Sequence, residues 1–103
     1  MFQLTALYNH PEDVEAFDKH YDEVHGPLAV KFPGLQRFTI SRPGPDPDGN
    51  KPAYHLIAVL DWPDEAAFQA AAGSPEMEAA LADLPNFAGA GVTILTGLGR
   101  TIL

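Results

Sequence analysis

The stretch that decides the fold is residues 53–62, which read Ala-Tyr-His-Leu-Ile-Ala-Val-Leu-Asp-Trp. Its apolar side chains occupy both alternating positions, as in a strand that is covered on both faces. Residues 2–9 and 87–99 have the same character, and residues 35–42 form a fourth predicted strand. The sequence therefore predicts four strands, three of which need cover on both sides.

Helical segments separate the first strand from the second and the third from the fourth, whereas a proline-rich loop joins the second to the third. The first helical segment has apolar side chains three or four residues apart, the spacing of one helix face, and Asp13 precedes it as a candidate N-cap. Gly26-Pro27 is expected to interrupt this helix, because the helical conformation is disfavoured before proline. A second helix is predicted from residue 63, and a third piece, capped by Ser74, extends to Leu84. The first helix carries an apolar stripe made of Val14, Phe17, Tyr21, Val24 and Leu28.

The element order is β-α-β-β-α-β, the order of an α+β, ferredoxin-like sandwich with an antiparallel four-stranded sheet. A chain of 103 residues holds a single domain, residues 1–103. The helices can cover only one face of this sheet, while the apolar strands require that the other face is buried too. We therefore predict a homodimer in which two sheets pack face to face.

The composition limits the classes of partner. The chain has no cysteine, and its 6 Lys and Arg residues against 14 Asp and Glu residues give a net charge of −8. Without a basic patch, nucleic acid and anionic membrane surfaces are not expected partners. The first residues lack the features of a signal peptide and no apolar run is long enough to cross a bilayer, so a cytoplasmic location is expected.

His25 is the first candidate for chemistry, because histidine titrates near neutral pH. It ends the predicted first helix, where the helix dipole and Asp22 favour a protonated ring. Such a ring suits an acid or an anion-binding group, whereas a purely structural histidine here would bond a backbone carbonyl. On an ideal α-helix, His20 and His25 lie about 140° apart, on opposite shoulders of the apolar stripe.

His55 is the second candidate. Alternation along its strand puts it on one face with Ile57 and Val59, where a lone histidine is more often a hydrogen-bonded core residue than a catalyst. No metal site is predicted, because His20 and His25 are five residues apart and two ligands on one helix face need three or four. One histidine suffices to ligate haem, but nothing else signals haem, and no cofactor is predicted.

Aromatic side chains with a polar tip are candidates for the wall of a ligand pocket. Tyr8, Tyr21 and Trp62 belong to predicted apolar faces and can add a hydroxyl or an indole N–H to such a wall. The expected ligand is therefore small and apolar or aromatic.

Several motifs in the first 40% of the chain give it a family resemblance. Histidine, proline and glycine recur there at fixed offsets, and the sequence resembles the EthD family of dimeric α+β barrel proteins, named for ethyl tert-butyl ether degradation. The motifs are Ala6-Leu7-Tyr8-Asn9-His10-Pro11-Glu12-Asp13, Phe17-Asp18-Lys19-His20-Tyr21, His25-Gly26-Pro27-Leu28-Ala29 and Pro33-Gly34-Leu35.

The resemblance implies a cavity between helices and sheet and assigns residues to it. The pocket histidine of the family's His-x-Pro motif corresponds to His25, with His20 and Tyr21 one turn earlier. Some cyclising relatives use a second histidine on the third strand, the position of His55. The histidine that those cyclases carry near the second helix has no counterpart in residues 74–77, which weakens the cyclase interpretation.

Three functional hypotheses are compatible with the sequence. The first is a small-molecule pocket protein of catabolic or secondary metabolism that acts as a cofactor-free isomerase, cyclase or dehydratase. In it, His25 acts as acid or base, His55 and Tyr21 orient the substrate, and the proline-rich loop at residues 43–52 restricts water. The second is a non-catalytic accessory protein that holds a ligand for a monooxygenase, as in ether degradation. The third is haem or direct oxygen chemistry.

Overall fold

One antiparallel sheet of four strands carries a layer of helices on one face, and the computed structural model describes all of residues 1–103. The order β-α-β-β-α-β and the α+β, ferredoxin-like class are as predicted. The elements are β1 (Phe2–Tyr8), α1 (Val14–His20), a π-helical turn (Tyr21–His25), α2 (Gly26–Ala29), β2 (Arg37–Ser41), β3 (Leu56–Trp62), α3 (Glu65–Ala72), α4 (Pro75–Phe87) and β4 (Val92–Leu98).

The strand order across the sheet is β2-β3-β1-β4. β1 pairs along its whole length with both β3 and β4, so that Tyr8 stands between Leu56 and Val92. Every second residue of the two central strands points towards the helices and belongs to the core. The buried members of this set are Phe2, Ala6, Tyr8, Leu56, Ala58, Leu60 and Trp62.

The first helix does not stop at Gly26-Pro27, so this prediction is wrong. α1, the π-helical turn and α2 follow one another without a break, and the N–H of Gly26 donates to the carbonyl of Tyr21, five residues earlier. A Cβ at position 26 would lie 3.1 Å from that carbonyl oxygen. Glycine therefore fits here, and without a Cβ it escapes part of the clash that normally keeps a residue before proline out of the helical region.

The two predicted N-caps are confirmed, but the predicted end of the last helix is wrong. Asp13 Oδ1 accepts a hydrogen bond from the Ala16 N–H at 3.0 Å, and Ser74 Oγ accepts one from the Met77 N–H at 3.2 Å. α4 continues through Pro85 to Phe87 instead of ending at Leu84, so β4 begins at Val92 and not at residue 87. Phe87 packs there against a cluster of aromatic rings, which gives the extra turn tertiary support.

The outer face of the sheet, opposite the helices, is less apolar than predicted. Its centre is apolar, with Leu7 beside Ile57 across the β1–β3 ladder and Val59 one pair away. Polar side chains flank this centre. On the edge strand β4, Leu95 also faces outward and is half-exposed.

Trp62 fixes one end of the core. It is fully buried, its indole N–H donates to the Pro33 carbonyl at 2.9 Å, and its ring packs between Phe32 and Phe68. The side chain thus ties β3 to the segment before β2 and to α3.

We expect Trp62→Phe to lower the free energy of unfolding by about 1–3 kcal/mol, because it removes the hydrogen bond to the Pro33 carbonyl and leaves unfilled volume where the buried indole ring was. Urea denaturation followed by far-ultraviolet circular dichroism measures the change. The exposed Val30→Ala serves as control and should change the value by less than about 0.5 kcal/mol. Equal effects of the two substitutions would contradict this account of the core.

Candidate functional site

A small cavity lies between the helices and the sheet. Its volume is about 50 Å³. Of its 15 lining residues 14 are hydrophobic, and the exception is His25. The wall includes Leu4, Phe32, Leu60, Met77, Leu84 and Ile94.

His25 is buried and has both ring nitrogens engaged. Nδ1 lies 3.1 Å from Asp83 Oδ2, and Nε2 lies 3.4 Å from the Tyr8 hydroxyl. Because an ionised carboxylate only accepts hydrogen bonds, we assign the proton of the neutral ring to Nδ1. Nε2 then carries a lone pair that faces Tyr8 and the cavity.

Asp83, on α4, organises this cluster and is itself 6 % exposed. Besides His25 Nδ1, it accepts hydrogen bonds from His20 Nε2 at 2.9 Å and from Asn86 Nδ2 at 2.9 Å. Burial by itself would raise the pKa of Asp83, but the three donors outweigh it and hold the pKa below its usual value. The carboxylate is therefore ionised at neutral pH.

The π-helical turn explains how two histidines reach one carboxylate. An α-helix would separate His20 and His25 by about 140°. In the turn between them the hydrogen bonds span five residues instead of four, so residues five apart come to the same side. The prediction that these two histidines lie on opposite shoulders is wrong for this reason.

The expectation that His25 is protonated is also wrong. Burial lowers the pKa of His25, and the hydrogen bond to Asp83 offsets only part of this effect. His25 is not at a helix end, since α2 continues beyond it. Asp22 is exposed and pairs with Arg42 at 3.8 Å, not with His25. His25 is thus a neutral ring at pH 7.

Tyr8 and Tyr21 are the hydroxyl-bearing residues of the cavity wall. Their rings meet edge to face with centroids 5.7 Å apart. Burial raises the pKa of Tyr8 to about 12, against a smaller lowering by Tyr21. Burial and the neighbouring Tyr8 likewise raise the pKa of Tyr21. Both hydroxyls therefore keep their protons and can donate hydrogen bonds.

His20 and Trp62 do not line the cavity. His20 lies on the far side of Asp83, stacks on Phe87 with ring centroids 5.0 Å apart, and is partly exposed to a surface cleft. Trp62 sits in the core described above. Of the six residues predicted for the site, the structure brings Tyr8, Tyr21 and His25 together at the cavity.

His55 lies outside the cavity as well. β3 begins only at Leu56, so the strand alternation that placed His55 beside Ile57 does not extend to it. Its Nε2 instead bonds Asp18 Oδ1 on α1 at 2.9 Å, and its ring packs edge to face on Phe17. The proline-rich loop does not line the cavity either.

Sequence reasoning missed Asp83 and Asn86. A signal for Asp83 existed: it follows Ala80 by three residues and precedes Phe87 by four, which puts an acidic side chain within the apolar face of α4. A carboxylate in that position needs buried donors. The identity of those donors depends on how α4 packs against the first helix.

No group of three or more His, Asp or Glu side chains is arranged to hold a metal ion. None of the helices combines the length and the apolar character needed to span a bilayer.

Comparisons with known proteins agree with this architecture. The family model of the EthD domain matches residues 9–91. An uncharacterized 11.0 kDa protein from the thcB–thcC intergenic region of Rhodococcus erythropolis is 40% identical over 103 residues, which cover 100% of this chain and 99% of that protein.

Two solved structures are similar over nearly the whole chain. An EthD family protein of Bacillus halodurans shares 35% identity with a TM-score of 0.89, covering 97% of this chain and 99% of the other. A dimeric ferredoxin-like protein of unknown function from Thermobifida fusca shares 20% identity with a TM-score of 0.68, covering 93% and 88%. On the family match and the two relatives above 30% identity, the chain belongs to the EthD family.

Proposed function

We propose that this protein binds a small, largely apolar molecule and transfers a proton to or from it without a cofactor, with His25 as the general base. One observation carries the proposal: a neutral histidine is the sole strongly polar group of an apolar cavity, and a buried carboxylate holds its Nδ1–H. This arrangement leaves Nε2 as the proton acceptor and stabilises the imidazolium that forms.

The proposed reaction has four participants. His25 Nε2 takes a proton from an acidic C–H or O–H of the ligand, and the ligand keeps the electron pair. Asp83 stabilises the resulting imidazolium through Nδ1–H. When the ligand binds, the neutral Tyr8 hydroxyl turns its proton from His25 Nε2 to the ligand oxygen on which negative charge develops, and the neutral Tyr21 hydroxyl donates to the same oxygen. Return of the proton to a different atom gives isomerisation; its return with bond formation or loss of water gives cyclisation or dehydration.

A non-catalytic binding protein, serving a monooxygenase, is the second candidate. The observation that favours it is the almost entirely apolar lining, which suits ligand binding independently of any chemistry at His25. In that case the same ligands bind but exchange no protons. His20, His55 and Trp62 act in either case through the fold, because they lie outside the cavity.

Proton abstraction can be tested without knowing the natural ligand. We expect the protein to accelerate hydrogen–deuterium exchange at the carbon next to the carbonyl of 1-indanone or cyclohexanone in D₂O, followed by proton NMR. His25→Gln should reduce the acceleration by about 10²–10⁴-fold, and Asp83→Asn should reduce it as well because it no longer holds the productive ring form.

His10→Gln is the matched control, since His10 bonds the Pro52 carbonyl away from the cavity. His55→Gln tests the prediction made from sequence, and here we expect full activity. Equal exchange by wild-type protein and His25→Gln would refute the base. Binding of the ketones without any exchange would support the accessory protein instead.

The burial of His25 also predicts a pH dependence of stability. The unfolded ring has a pKa of about 6.5 and the folded one a lower pKa, so below about pH 6.5 the unfolded chain binds more protons. The titratable groups that face this ring are Asp83, His20, Tyr8 and Tyr21. The stability contributed by the ionised Asp83 is lost only at much lower pH, where the carboxylate becomes protonated at its lowered pKa.

We therefore expect the free energy of unfolding to fall between pH 7 and pH 5, with His25 contributing at most about 1.4 kcal/mol per pH unit. Urea titrations at three pH values measure the slope. His25→Gln should flatten it, while Tyr8→Phe, which keeps the ring buried, should not. An unchanged slope in His25→Gln would show that the ring is not held neutral.

The proposed assembly is a homodimer joined through the outer face of the sheet. The apolar centre at Leu7, Ile57 and Val59 supports it, because an apolar patch that is open to solvent is typical of a protein–protein interface. Asp61 Oδ1 on the same face is buried without a hydrogen-bond partner, which a second copy can supply. The structural relative from Thermobifida fusca is itself dimeric.

We expect light scattering to give twice the 11.1 kDa of one chain and Leu95→Glu to weaken the dimer by at least about tenfold, as a charge at an apolar contact does. Leu95 is half-exposed in the single chain, so this substitution spares the fold. Val24→Glu, on the helical side, is the control. A monomeric wild-type protein, or a dimer indifferent to Leu95→Glu, would exclude this interface.

A further inference from the structure

Two neighbouring spaces share a wall. The cavity at His25 and an open groove on the protein surface are both lined by Tyr21 and Phe38. The groove runs between the start of α2 and the edge strand β2, with Pro27 and Val30 on one side and Ile40 on the other. Tyr21 and Phe38 therefore separate the polar end of the cavity from the solvent.

The cavity is too small for a whole ligand, and the groove adds the missing space. The cavity has a volume of about 50 Å³, far below the roughly 300–1,000 Å³ of typical ligand pockets. The groove offers about 420 Å³ by the same measure. The cavity alone holds the head of a ligand, whereas the two together hold a whole one.

The groove is also the better continuation of the cavity. The cavity has a second opening beside Leu81 and Ile94, both half-exposed, but no concave surface continues from it. The groove, in contrast, presents exposed apolar side chains, since Val30 is 62% and Ile40 39% exposed. Phe38 is only partly buried, and its strand β2 has a single neighbour in the sheet.

We propose that the ligand is elongated, with a phenol, enol or ketone oxygen at His25 and an apolar chain that passes between Tyr21 and Phe38 into the groove. The position of the oxygen rests on the proposed function, whereas the path of the chain rests on the shared wall. A ring turn at Phe38 joins the two spaces, and the apolar chain then covers Val30 and Ile40.

A homologous series of ligands tests this path. We expect phenol to bind weakly and 4-ethylphenol and 4-butylphenol to bind about threefold to fourfold more tightly per added methylene, the gain of burying each group, as measured by isothermal titration calorimetry. Val30→Glu should abolish this gain while leaving phenol binding unchanged. Val14→Glu, also an exposed valine on the helical layer, is the matched control and should keep the gain.

Nuclear Overhauser contacts of the butyl group identify the route directly. Contacts to the methyl groups of Val30 and Ile40 are expected; contacts to Leu81 and Ile94 would overturn the proposal, as would affinity independent of chain length. A change of oligomeric state in Val30→Glu would assign the groove to a second copy and overturn it too. None of these readouts needs proton transfer. A result that excludes His25 as a general base would therefore not contradict the proposed path of the chain.

Discussion

The buried carboxylate of Asp83 is the constraint on which the site depends. A charge taken out of water is costly unless donors replace its hydration, and three donors converge on Asp83 from His20, His25 and Asn86. The two histidines belong to the first helix and its π-helical turn, whereas Asp83 and Asn86 belong to α4. One desolvated charge therefore holds two helices over the sheet and, by accepting the Nδ1 proton, decides which nitrogen of His25 faces the cavity.

The π-helical turn is the local feature that makes this convergence possible. Residues five apart share a side only where the helix winds more loosely than an α-helix, and such turns occur often at functional sites. Here the turn ends at Gly26, whose missing Cβ permits close approach to the Tyr21 carbonyl, and Pro27 follows without breaking the helix. In the sequence motif His25-Gly26-Pro27, the histidine thus supplies the side chain of the site, and the glycine permits the backbone geometry that positions it.

Much of the fold follows from the sequence because it depends on local patterns. Short apolar runs, three of them apolar at both alternating positions, predict the four strands, and the caps at Asp13 and Ser74 follow from side chains adjacent in sequence. The failures have another origin. The helix across Pro27, the extension of α4 through Pro85 and the hydrogen bonds of His55 and Asp83 all depend on contacts between elements. His25, Tyr8 and Tyr21 were found from residue type and position, whereas Asp83 needed the packing of α4.

One face of the sheet lines the cavity, and the other forms the outer surface. On β1, Ala6 and Tyr8 point to the cavity while Thr5 and Leu7 point to the outer face; on β3, Ala58 and Val59 divide in the same way. Because side chains alternate, a shift of one residue in strand register would exchange the two sets. It would bring Tyr8 out of the cavity and open the core at once. The register that buries the core is therefore the same one that places the Tyr8 hydroxyl against His25, so the geometry of the site is specified by the stability of the fold.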